Sequence, residues 1–356
     1  KPPPSRARRS LTCKLRPISP NSSKKRVPLS AKSKKPSLSS LAPVKALQIM
    51  NPGPLTTLQD RGRFGFGEYG VAPSGAVDTL SLQVGNRLVG NGADEAGLEL
   101  TFAGPAVTAL ARIVIAVTGA DFQPQINGTK IPMWHAVVMK EGDRLSFKGI
   151  RSGLRAYVTV GGGIQSPRVL GSRSTNLSTC FGGFSGRPLM KGDILYVRAP
   201  ELHLETEGTA LPARFIPDYP QDVTLRMIFG PHHHHFGPRT LSRFQKASYR
   251  VTGQLDRTGI RLEGTAIKEK AELKTSIISE GVVCGAIQIP GDGQPIIILS
   301  ETVTGGYRKI ACVISADLHR LGQLRPENQV RFASVSRDDA RIALEEMGTI
   351  IQSVGS

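Results

Sequence analysis

Short β-branched runs, each stopped by Gly, Pro or Asp after four to eight residues, constrain this chain more than any other feature. RIVIAVTG (112–119), LRAYVTVGGG (154–163), TLRMIFG (224–230), QPIIILS (294–300) and KIACVIS (309–315) are of this kind. With 39 Gly and 25 Pro among 356 residues, the pattern predicts a mainly β fold, a sandwich or barrel, with few helices. Three segments do carry helical spacing. In SGAVDTLSLQVGNRLVG, Val77, Leu80, Val84 and Leu88 recur at steps of three and four. There Ser74 is expected as N-cap and Asp78 in the first turn. SADLHRLG (315–322) predicts two turns capped by Ser315 and stopped by Gly322. SRDDARIALEEMGTIIQ opens with a Ser336–Asp339 capping box and aligns Ala340, Leu344, Met347 and Ile351.

The net charge of +18 is unevenly placed. Of the 46 Lys and Arg, 13 lie in residues 1–46, which hold no Asp or Glu, so the remaining 33 face 28 acids, a surplus of 5. That balance is an ordinary surface and gives no reason to expect a specific nucleic-acid partner. The first 46 residues also hold ten Ser and eight Pro, too little apolar surface to offset the entropy of ordering, and are expected to be a disordered basic tail. Such a tail is either an organellar transit segment or inert; without targeting, the four unpatterned cysteines (Cys13, Cys180, Cys284, Cys312) fit a reducing, cytoplasmic compartment. No apolar run reaches 18 residues, so no membrane span is expected. A polar, Pro-rich break near 200–222 divides the rest into a β-rich unit at 47–215 and a second at 216–346, with a helix end and tail at 347–356.

Several motifs invite chemistry that their surroundings do not support. VVMKEGD (137–143) has the Met-Lys of a biotinyl hairpin but Glu141 after the lysine, so a strand ending in a turn with Lys140 exposed is expected. PHHHHFG (231–237) has no carboxylate within six residues, and alternate side chains of an extended run point apart, so no metal site is predicted. Gly161–Gly163 and the TGG at 304–306 open no long helix and are not dinucleotide loops. His135 and His319 stand alone, and Cys284 and Cys312 are expected to be buried, inert thiols.

Four passages together are distinctive: GPLTTLQDRGRFGFGEYGVAPSGAVD (53–78), GLELTFAGPAV (97–107), RAYVTVGGGIQSPRVLGSRSTNL (155–177), and LDRTGIRLEG (255–264) followed by EGVVCGAIQIPGDGQPIIILSETVTGGYRKIACVISADL (280–318). In this order they resemble the biotin-dependent carboxyltransferase family, also called allophanate hydrolase subunit 2. It includes the C component of the bacterial 5-oxoprolinase and carboxyltransferase subdomains C and D of urea carboxylase. The resemblance covers residues 47–335 and implies two β-rich subdomains, the second a cyclophilin-like barrel. It implies partners: a sister cyclophilin-like subunit and a lactam-utilisation subunit, with ATP bound by the complex and 5-oxo-L-proline, a small cyclic amide, hydrolysed to L-glutamate. The alternatives are a carboxyltransferase component acting on urea or a similar amide, with biotin carried on another chain, and a regulatory binding protein that antagonises a kinase inhibitor. Cys284 and Arg308 stand where the family often has proline, the four histidines fill a loop usually polar with one aromatic, and the basic tail has no counterpart.

Stretch 280–318 holds no nucleophile motif, no metal motif and no Walker lysine loop. Both reactions of the resemblance build negative charge on a carbonyl oxygen, which Gly turns flanked by cations and amides suit better than covalent attack. Lys309, Arg257 and Asp256 are the catalytic candidates. Arg173 is a further cation, Gln288 and Gln294 are amide readers, and Gly305 and Gly306 permit close approach. Ser74, Asp78, Glu280 and Tyr307 complete the substrate-binding set. Segments 74–78, 256–257 and 304–309 are expected to converge on one hollow, and the chain alone is expected to turn over little or nothing.

Overall fold

Strand Ile113–Asp121 shows how the first half is built. Ile113, Ile115 and Val117 point into one apolar cluster and Val114 and Ala116 into another, which is why its sequence is an unbroken hydrophobic run. It lies in a five-stranded sheet ordered Leu55–Gln59, Gly97–Thr101, Ser152–Val160, Ile113–Asp121, Ala136–Met139. A seven-stranded sheet, in which Pro43–Asn51 lies between Ile194–Arg198 and the central strand Ala106–Ala109, shares the first cluster: Leu47, Ile49, Val107 and Val197 meet Leu58, Leu98 and Val158. Helix α1 (Thr79–Leu88) covers the other face of the five-stranded sheet through Leu80, Val84 and Leu88. This computed structural model describes residues 42–270 and 277–355, all within one compact unit.

The second half is a closed seven-stranded barrel: Asp222–Phe229, Arg308–Val313, Ala286–Ile289, Ile296–Ile298, Gly259–Gly264, Tyr249–Leu255, Gln329–Ser334. The parallel pairing of Asp222–Phe229 with Gln329–Ser334 closes it. Helix α2 (Pro238–Lys246) drives Phe244 against Phe332, ring centroids 4.8 Å apart, and against Tyr249. The mainly β expectation holds. No helix among the described residues is long and apolar enough to cross a membrane.

Several local expectations are corrected. The N-cap of α1 is Asp78, which accepts from the Ser81 N–H at 2.9 Å; Ser74 is buried four residues earlier with φ 55°. Ser315 caps nothing: its segment is a 3-10 turn, Ser315–Asp317, running into α3 (Leu318–Leu321), and neither has a side-chain cap. The Ser336–Asp339 capping box of α4 (Arg337–Gln352) is present with both reciprocal bonds, so Ser336→Ala should cost about 1 kcal/mol in denaturant unfolding. Leu344 is exposed on α4, whereas Met347, Ile350 and Ile351 pack back onto the α1 cluster. Helix α4 runs on to Gln352, so residues 347–356 are a helix end and tail. Residues 1–41 of the expected tail lie outside the described residues, and the chain is already in a strand at Pro43.

Candidate functional site

Where the barrel meets the sandwich, buried charges close a lock. Glu99 lies on a strand buried along its whole length. Its carboxylate takes Arg257 Nη1, the Tyr157 hydroxyl at 2.7 Å and the Val77 N–H at 2.9 Å, with Arg155 Nε 3.8 Å away. Burial works to raise this carboxyl, but Arg257, Arg155 and the two hydrogen bonds hold it below its usual range. Arg257 leaves the barrel in the turn after Tyr249–Leu255 and donates from all three nitrogens: Nε to Glu301 at 2.7 Å, Nη1 to Glu99, and Nη2 to the Gly75 carbonyl at 2.6 Å. Asp78 accepts from Gln323 Nε2 at 2.7 Å, and Gln323 Oε1 accepts the Leu154 N–H at 2.9 Å. Gly75 has φ 82°, and a Cβ there would stand 2.6 Å from the Arg61 carbonyl oxygen, so the close chain crossing that feeds Arg257 requires glycine. A cavity of about 320 Å³ opens beside the lock, lined among others by Phe102, Arg155, Asp256, Arg257 and Glu301.

A second cluster lies at the start of barrel strand Arg308–Val313. Lys309 is 7% exposed, yet its ammonium pairs with Glu280, whose side chain is 42% exposed, and reaches the Gly281 carbonyl at 3.2 Å. Glu280–Gly281 forms a short ribbon with Thr304–Gly305. A Cβ on Gly305 would stand 2.3 Å from Gln288 Nε2, so glycine lets the ribbon rest on that amide. Gln288 Nε2 reaches the Tyr307 carbonyl at 3.5 Å, the limit of a hydrogen bond. The turn His233–His235 closes the other side. His232 Nδ1 accepts the Lys309 backbone N–H at 3.1 Å, its Nε2 is 3.3 Å from Glu280, and His235 Nδ1 accepts Arg308 Nε–H at 2.9 Å. Arg308 also pairs with Glu269. The hydrogen bond from Lys309 holds the Glu280 carboxyl below its ordinary value. Burial lowers both histidines most; Lys309 and Arg308 add to this at His232 against Glu280, and the His234 ring and Arg308 add to it at His235 against Glu269.

The expected single hollow is thus divided. Segments 74–78 and 256–257 do meet: Arg257 reaches Gly75, and the Ser74 N–H donates to the Ser300 carbonyl at 2.9 Å. Arg257, Asp78 and Ser74 are spent on that lock, the Ser74 hydroxyl accepting Arg63 at 2.9 Å and Asn176 at 3.1 Å. Asp256 tightens its own turn by accepting the Thr258 and Gly259 N–H groups. Lys309, Glu280, Gln288, Gly305 and Tyr307 gather at the barrel cluster. Gly306 adjoins it, its carbonyl accepting the Ile277 N–H at 3.0 Å. Arg173 sits on the sandwich with Gln165 at 3.1 Å and Glu95 at 3.5 Å. Gln294 braces Gly264 through both its amide atoms in a separate turn.

Sequence reasoning weighed His232 and His235 only as metal ligands and passed over Glu269, Glu99, Arg155, Tyr157 and Glu301. The histidine run was the available signal, since four rings beside a Gly–Pro bend must face something. Their rings pack on one another, His232 on His235 at 5.5 Å and His234 on His235 at 4.2 Å, and among the described residues no group of three or more His, Cys, Asp or Glu is placed to hold a metal. Cys284 is only partly buried, packed against the barrel core, and desolvation there pushes its thiol up to about 12. Lys140 is exposed in the turn after Ala136–Met139, where its N–H donates to Asp143 at 2.7 Å.

A family described as "Carboxyltransferase domain, subdomain A and B" matches residues 69–334. The chain is 32% identical over 301 residues to the C component of the 5-oxoprolinase of Escherichia coli, covering 84% of this chain and 94% of that one. It is 32% identical over 323 residues to the urea amidolyase of Saccharomyces cerevisiae, covering 87% of this chain and only 18% of that protein. The crystal structure of the Kluyveromyces lactis urea carboxylase superposes with a TM-score of 0.82 at 32% identity, over 88% of this chain and 30% of that one.

Proposed function

Because this chain belongs to the family of carboxyltransferase domains, subdomain A and B, we propose that it is one subunit of a multi-chain enzyme whose barrel cluster holds negative charge on an amide carbonyl oxygen. One observation carries the reading. The Lys309 ammonium has three hydrogens, and Glu280 and the Gly281 carbonyl engage two, which leaves one without a partner among the described residues. Glu280 balances the buried cation, and the half-exposed ribbon leaves its outer side open. An oxygen seated there meets a preorganised cation already withdrawn from water, the condition under which one donor counts most. Gln288, able to donate and accept, sits where it can read the neighbouring amide N–H.

The substrate we favour is 5-oxo-L-proline, opened to L-glutamate at the expense of ATP. Support comes from the match over 94% of a relative that is itself named as a subunit. Partners supplying the remaining surfaces are a sister cyclophilin-like chain and a lactam-utilisation chain. Two helix N-termini are unsuited to phosphate, α1 being capped by the Asp78 carboxylate and α4 carrying Asp338 and Asp339 in its first turn. In this reading the nucleotide is bound by the complex, at a site that is non-standard, shared with a partner chain or carried by one. The match to urea amidolyase and urea carboxylase supports a second reading, in which the same ammonium steadies the ureido oxygen of biotin borne by another chain.

Co-expression with the two partner chains and assay of 5-oxoproline-dependent glutamate formation separates them. The first reading expects ATP-dependent glutamate unaffected by avidin; inhibition by avidin transfers the assignment to carboxyl transfer, and no glutamate under any condition removes the first. In the active assembly, Gly305→Ala should lower turnover roughly 10–100-fold by displacing Gln288, with a nearly unchanged melting temperature.

A further inference from the structure

The two histidines that face Arg308 and Lys309 are both fixed in one protonation state by obligate donors. A backbone N–H and a guanidinium Nε–H can only donate. Lys309 N–H points at His232 Nδ1 at 3.1 Å, and Arg308 Nε–H at His235 Nδ1 at 2.9 Å. Each Nδ1 therefore presents a lone pair, and each ring carries its single proton on Nε2. In His232 that proton faces Glu280 at 3.3 Å. The backbone completes the link, His232 N–H donating to the Lys309 carbonyl at 3.2 Å.

From this geometry we propose that the 231–235 loop is an acid-released clasp, in which neutral His232 and His235 are positioning residues that hold Arg308 and Lys309 in place and let go when either ring gains a second proton. Protonation turns Nδ1 into a donor facing a donor, so the contact cannot survive in place. A charged His232 is also drawn to Glu280 and competes with Lys309 for that carboxylate, which would move the ammonium from its seat. The groups facing His232 are Glu280, Lys309, Arg308 and His234; those facing His235 are Arg308, Glu269, His234 and His232. The carboxylates favour protonation, while burial and the surrounding cations oppose it, and the balance keeps both rings neutral to lower pH than a free histidine.

The sign follows from linkage. Both rings have lowered folded values against 6.5 for an unperturbed histidine. The clasp is therefore intact above about pH 6.5 and lost as pH falls through the folded values. Release itself does not depend on the proposed reaction; only its consequence for turnover rests on that reading, through Lys309.

Hydrogen exchange measured by mass spectrometry on the full chain tests the clasp, following peptides across 304–313 from pH 7.5 to pH 5 after correction for intrinsic exchange. In the unmodified chain, protection should fall about tenfold or more on acidification. Joint replacement by His232→Asn and His235→Asn keeps an acceptor near each Nδ1 position but cannot titrate, so it should hold protection at both pH values, while His232→Ala should lack it at both. Equal acid responses in the unmodified chain and the double asparagine variant, or no acid response in the unmodified chain, would overturn the proposal. Turnover of the assembled enzyme then separates the two ideas. Acid loss of protection without acid loss of glutamate formation leaves the clasp standing and removes Lys309 from the reaction.

Discussion

Arg257→Met is expected to destabilise the chain by about 3–5 kcal/mol, the usual cost of removing one partner from a buried ionic network. The guanidinium is 4% exposed and its two carboxylate partners, Glu99 and Glu301, are 1% and 3% exposed, so solvent screens almost nothing. Methionine fills much of the volume, and the cost therefore reports charge, not a cavity. Glu99 keeps Tyr157, Val77 and Arg155, but loses the cation that bridges it to the barrel; Glu301 keeps a hydrogen bond from the Ser178 hydroxyl at 2.8 Å. Adding Glu301→Gln to Arg257→Met should recover part of the loss, because Glu301 is the carboxylate left without its cation, whereas Glu99 still faces Arg155. A denaturant midpoint shift equivalent to less than about 1 kcal/mol would mean the lock does not join the two halves as described.

Lys309→Met should leave stability nearly intact and reduce kcat of the assembled enzyme by about 10²–10³-fold, the range for deleting one preorganised oxyanion donor. The loss should fall on kcat more than on KM, since charge on the oxygen is greatest in the transition state. The contrast with Arg257 is the useful feature. Both are buried cations paired with glutamate, but Arg257 has every nitrogen engaged within the protein, whereas Lys309 retains a free hydrogen among the described residues. A melting temperature that falls as far as that of Arg257→Met would place Lys309 in the scaffold instead.

Local pattern carried most of the architecture. The β-branched runs appear as strands, because period and punctuation are properties of a few adjacent residues, and the α4 capping box follows from two residues three apart. Ser74 misled because Ser and Asp cap equally well, and only the chain path decides between them. Glu99 was invisible for a different reason. In GLELT it looks like the polar face of a half-exposed strand, whereas both faces are buried and its partner Arg257 is 158 residues away. The His232–Lys309 contact spans 77 residues, and no local spacing encodes it. Seven of the candidate residues share one 30-residue stretch, Glu280 to Lys309, and six of them gather at or beside the barrel cluster, while Gln294 braces a separate turn. Arg257 looked equivalent because sequence shows its charge and not its saturation.

Locating bound 5-oxoproline in a crystal of the assembled enzyme most directly tests where the reacting carbonyl sits. Its oxygen is expected within hydrogen-bonding distance of Lys309 Nζ, with Gln288 beside the ring. Density for the substrate in the cavity by Asp256 and Arg257, with the Lys309 ammonium left facing solvent, would contradict it.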